Sequence, residues 1–145
     1  MRNIQMLSLA GALAFSGAPA LPVSAATLSY TADLKSASDS PPNTSKATGK
    51  VMAWFDTVSN KLSWAVTYTG LSGPATAAHF HGPTAMGAHA APVAPVPPAG
   101  LATPMNGEAM PTDAQAEELA DGKWSFNIHT AAHAGGEIRG QMMKK

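Results

Sequence analysis

Cysteine is absent from all 145 residues of this chain. That excludes disulfides, thiolate catalysis, cysteine zinc sites, iron-sulfur clusters and a His2Cys blue-copper centre. Stability must come instead from an apolar core, hydrogen bonds or a bound metal. Charge of one sign is equally lacking, with nine Lys and Arg against nine Asp and Glu. One of those cations, Arg2, falls in the first residues, so eight remain against nine acids in the rest of the chain. Near neutrality argues against nucleic acid or an anionic membrane surface as the main partner.

A long apolar run is missing too. Met6 to Phe15 is nearly all apolar, but Gly11, Ser16, Gly17 and Pro19 break the run well short of the roughly 20 residues a membrane span needs. With Arg2 as a positive start and Val23-Ser24-Ala25 as a small-residue end, residues 1–25 are expected to be an export signal. The mature protein would begin at Ala26 or Thr27 and be periplasmic or secreted, with no membrane anchor. No cysteine follows the apolar run, which removes a lipoprotein anchor. About 119 residues then remain, one domain of ordinary size, placed at residues 26–145.

What is present alternates in the manner of β-strands. Thr27 to Leu34, Lys50 to Phe55 and Leu62 to Tyr68 read as strands, with Leu62, Trp64, Val66 and Tyr68 on one face. Ala77 to His81 is a short strand stopped by Gly82-Pro83. From Thr84 to Pro111 the chain is rich in Ala, Pro and Gly, which favours extended and polyproline segments. Thr112 to Asp121 is the one convincing helix, with Thr112 as N-cap and Gly122 as stop. Lys123 to His129 alternates Trp124, Phe126 and Ile128 against Ser125, Asn127 and His129, and Glu137 to Met142 is a last strand after the Gly135-Gly136 turn. The fold class expected is all-β, an antiparallel sandwich or barrel of Greek-key-like kind with one short helix.

All five histidines, His79, His81, His89, His129 and His133, fall within 55 residues. On a strand, residues two apart face the same side about 6 to 7 Å from one another, so His79 and His81 can converge on one ion while Phe80 points the other way. His129, at a strand end on the polar face, supplies a third ligand. His133, four residues later in a loop able to curl back, is a candidate fourth, and His89 in the Ala/Pro-rich loop a more loosely tethered fifth. Imidazoles without thiolates suit Cu(II), Zn and Ni, and copper binds most tightly in that series. Copper is therefore expected, with zinc the alternative. Carboxylates are too sparse nearby for a Ca or Mg site. The scattered Met86, Met105, Met110, Met142 and Met143 read as ordinary core or surface residues.

Two blocks, GLSGPATAAHFHGP from Gly70 to Pro83 and NIHTAAHAGGEIRGQM from Asn127 to Met142, resemble the signature blocks of the CHRD domain, named after chordin. Ala91-Pro92-Val93 and the Gly122-Lys123-Trp124 approach are similar to the family as well. The resemblance implies a β-rich extracellular domain, found in bacterial exported proteins and in the animal chordin that binds growth factors, and fixes no activity. His79, His81 and His129 match positions where the family pattern carries histidine. His89 and His133 stand where asparagine is more usual, which enlarges the histidine set.

The HxH pair with a late histidine is also locally similar to the copper site of Cu/Zn superoxide dismutases. Without their cysteines and zinc loop, the reaction would have to be that of a copper-only enzyme, with Arg139 guiding the anion. Otherwise Arg139 is a strand-surface residue pairing with Glu137 or another acid. Three readings stay open at this point: copper sequestration or redox use, a dismutase-type enzyme, and a metal-free interaction module. Self-association is open as well. Hydrolysis has little support, since no carboxylate is placed to complete a triad with Ser125 and His129.

Overall fold

A computed structural model describes residues 24–145. The export signal expected over residues 1–25 lies almost wholly outside the described residues.

The chain opens with a three-stranded meander: β1 (Thr27–Lys35), β2 (Thr48–Asp56) and β3 (Lys61–Thr69), each nine residues long. Its alternation does what a half-buried sheet requires. Tyr30, Ala32 and Leu34 of β1, Val51, Ala53 and Phe55 of β2, and Leu62, Trp64 and Val66 of β3 all point into one core. The β2–β3 turn is closed by Asp56, whose Oδ1 accepts from the amides of Val58 and Ser59 at 2.8 and 2.9 Å. Asn60 completes it at φ 56, a left-handed conformation that asparagine tolerates.

The second half contributes β4 (Ala75–His81), β5 (Pro92–Pro95), β6 (Met105–Ala109), β7 (Ser125–Thr130), β8 (Ile138–Gln141) and the two-residue β9 (Met143–Lys144). All pairings are antiparallel, in the order β5-β4-β7-β8-β1-β2-β3-β6, with β9 beside β1. The result is a nearly closed, barrel-like sheet, so the expected antiparallel all-β class holds. The single α-helix among the described residues, α1 (Asp113–Ala120), is capped by Thr112 as expected. Gln115 returns the bond to make a capping box, and Gly122 at φ 70 ends the segment.

The Ala/Pro/Gly stretch from Thr84 to Pro111 holds more order than its composition suggested, since β5 and β6 both lie within it. β6 pairs with β3 in a register that sets Gly107 opposite Trp64. A Cβ at Gly107 would run into the Trp64 indole, so the middle of this inward face is a glycine and the strand carries little hydrophobic signal.

One aromatic cluster supports the rest. Phe80 packs against Trp64, Phe126 and Trp124 with ring centroids 5.1, 4.8 and 5.9 Å away, within the range of favourable aromatic pairs. It is fully buried. That anchors the C-terminal end of β4 and turns the residues on either side of Phe80 to the opposite face.

Candidate metal centre

Those neighbours are His79 and His81. Across β4 and β7, His79 stands opposite Asn127, His81 opposite Ser125 and Ala77 opposite His129, so one face of the strand pair carries three imidazoles. One ligand nitrogen from each of His79, His81 and His129 can be chosen so that all lie within 4.8 Å of one another. His79 Nδ1 is 3.3 Å from His129 Nε2. The His79 ring lies edge-on to both others, with centroids 5.5 Å from His81 and 5.2 Å from His129.

Two loops fix the outer rings. His81 Nδ1 meets the carbonyl of Ala90 at 2.9 Å, and His129 Nδ1 meets that of Ala134 at 2.9 Å. A backbone carbonyl behind one ring nitrogen is how ligating histidines are commonly oriented, because it assigns the proton to that nitrogen and leaves a lone pair on the other. Both free nitrogens face Asn127: its Oδ1 lies 2.8 Å from His81 Nε2 and 3.1 Å from His129 Nε2. Asn127 is fully buried, and its Nδ2 has no partner among the described residues.

Burial holds the His79 pKa below the ordinary imidazole value, and the neighbouring charges of His129 and His81 add to the effect. A neutral imidazole is the ligating form. Three such donors with no carboxylate or thiolate among them fit a late transition metal rather than Ca or Mg.

Two expected ligands lie elsewhere. His89 is exposed in the loop before β5, and that loop reaches the site through the Ala90 carbonyl instead of the His89 ring. The loop after β7 does curl back as expected, but it is Ala134 that touches His129. His133 is held in a tight turn by backbone bonds to Thr130, and among the described residues its ring is outside the converging group.

Arg139 is not a strand-surface residue, and of the acids it could pair with it takes Asp39 and not Glu137. It is 2% exposed and bonded through Nε to Asp39 Oδ1 at 3.3 Å, and its Nη1 donates to the carbonyl of Ala88 and to Ser125 Oγ. A cation steers anions from an exposed position with its charge unneutralised, and Arg139 has neither property. The methionines divide as ordinary ones do: Met105 and Met142 are buried, while Met86, Met110 and Met143 are exposed.

The face carrying Ser125, Asn127 and His129 is polar, as the alternation predicts, but it is not open to solvent throughout. Ser125 and Asn127 are as buried as the core side, Ser125 beneath the Arg139 guanidinium and Asn127 beneath the His81 and His129 rings. Glu137, just before β8, is a fully buried carboxylate. Burial pushes its carboxyl up, but hydrogen bonds from the hydroxyls of Ser45, Thr130 and Ser72 and from the Ser72 amide outweigh that and hold it down at about 2.

A family model described as CHRD domain matches residues 30–142. No curated protein and no solved structure matches the chain.

Proposed function

From the premise that this chain belongs to the CHRD domain family, we propose that it is an exported metal-binding protein that takes copper through His79, His81 and His129. One observation carries the reading. Three imidazoles from two strands converge, and the two outer ones have Nδ1 committed to backbone carbonyls, so that Nε2 is turned inward. Copper is favoured over zinc because an all-imidazole set binds Cu(II) more tightly in the divalent series. Export, expected from residues 1–25, would place the protein where copper is met. The protein would sequester the ion or hold it for redox use. Purification from the exported compartment, followed by metal analysis and Cu(II) EPR, tests this. About one copper per chain with a nitrogen-ligand spectrum is expected; zinc alone, or no metal, would count against it.

A redox reading has one observation in its favour. With His89 and His133 outside the group, three protein donors leave room on the ion for a small molecule. The burial of Arg139 removes the steering cation that a fast dismutase would use. The copper-loaded and metal-free proteins should therefore be compared for superoxide consumption, and equal rates would leave binding alone.

A further inference from the structure

Asn127 is the most confined polar side chain at the site and the one whose bonding is out of balance. It is fully buried, Nδ2 has no partner among the described residues, and Oδ1 faces two imidazole nitrogens at 2.8 and 3.1 Å. Each of those imidazoles already directs Nδ1 at a carbonyl, which can only accept, so Nδ1 carries the proton. A neutral ring protonated there has only a lone pair at Nε2. An amide oxygen against two lone pairs is repulsive, whereas an amide NH2 group has two hydrogens to give, one for each. The two ends of an asparagine amide are assigned by their hydrogen-bond network. Half a turn about the last side-chain torsion satisfies His81, His129 and the orphaned nitrogen together. It leaves an acceptor without a partner in place of a donor, the less costly of the two.

We infer that Asn127 is the positioning residue of this centre. Its carboxamide nitrogen donates to Nε2 of both His81 and His129, and holds the two rings as Nδ1–H tautomers with their lone pairs converging. The role rests on the metal-site reading, which it deepens. In the metal-free chain the amide stands in for the ion, satisfying the buried His81 lone pair and joining His79 Nδ1, 3.3 Å away, at that of His129. When metal enters, it gives those lone pairs up. An amide suits this and a carboxylate does not, because Asp at this position would accept only and would draw the protons to Nε2. The β4–β7 register places Asn127 opposite His79, at the centre of the three rings.

The tautomers can be read without metal. Long-range proton–nitrogen NMR of the metal-free 15N-labelled protein should show His81 and His129 protonated at Nδ1 and bare at Nε2, with slowly exchanging Asn127 amide protons. Protonation at Nε2 of either ring, with Asn127 accepting, overturns the assignment. Asn127→Asp keeps the shape and removes the donor, so it should move the proton to Nε2 in at least one ring; unchanged tautomers there also overturn it. Asn127→Leu, checked for folding by its spectrum, should weaken Cu(II) binding by about tenfold or more, the usual cost of losing a group that orients metal ligands. Wild-type affinity and an unchanged EPR signature in that variant would refute the positioning role. Failure of the wild-type chain to bind copper at all would sink the metal-site reading instead, while the tautomer result decides the Asn127 bonding by itself.

Discussion

Arg139 and Asp39, a hundred residues apart in the chain, form an ion pair of 3.3 Å with side chains only 3% and 1% exposed. The pair ties the segment after β1 to β8. Through its Nη1 bond to Ala88, the same guanidinium holds the loop whose Ala90 carbonyl orients His81. Gly136 passes so close to Asp39 that a Cβ there would strike the carboxylate, and it sits at φ 132, which side chains rarely adopt.

Removing one member of a buried pair leaves the other charge without compensation, which costs about 3–5 kcal/mol. Asp39→Asn should therefore lower chemical-denaturation stability by that order. The double variant Asp39→Asn, Arg139→Met should recover part of the loss. A double-variant loss equal to the sum of the Asp39→Asn and Arg139→Met losses would show that the pair is not coupled.

Glu137 makes stability depend on acid in a defined window. Its folded pKa, about 2, lies below the ordinary 4.5, so the unfolded chain takes up the proton first. The contribution is complete above about pH 4.5 and is lost as pH falls towards 2, with a size of about 3 kcal/mol at 1.36 kcal/mol per unit. Glu137→Gln should be less stable at pH 7 and should flatten the acid limb of the stability curve between those values. An unchanged limb would mean that another carboxylate dominates.

His79 acts in the same direction at higher pH. Its folded pKa is lowered by burial and by the two neighbouring rings. The unfolded chain therefore binds the proton first, and stability falls as pH drops below the ordinary imidazole value near 6.5. The proposed copper binding would meet the same competition, since protons and metal share the ring nitrogens. The copper-induced rise in Tm should be full at pH 8 and smaller at pH 5. Equal rises at the two values would speak against histidine ligation.

Much of the architecture could be read from the sequence because alternation is a direct record of burial. Each of the first three strands was located to within two residues, and Phe80 between His79 and His81 was rightly assigned to the core. β6 escaped because Gly107 makes way for Trp64 and leaves no apolar period to see. At the site, the HxH pair and His129 were visible as a strand pattern. The exclusion of His133 depended on loop geometry, which spacing does not encode: the loop returns with a carbonyl forward instead of a ring. Asn127 and the burial of Glu137 were overlooked for a related reason. Polar residues on a strand look solvent-facing until the groups that cover them are placed, and the loops behind those groups have little pattern of their own.

The central claim is that three histidines, and not five, hold one copper. Cu(II) titration by calorimetry at pH 7.5, in a buffer of known copper affinity, measures it directly. The account predicts one site per chain in the wild type, with His79→Ala, His81→Ala and His129→Ala each weakening binding by about tenfold or more, and with His89→Ala and His133→Ala close to wild type. Unchanged affinity in all three of the first variants, or a loss confined to His89→Ala and His133→Ala, would contradict it.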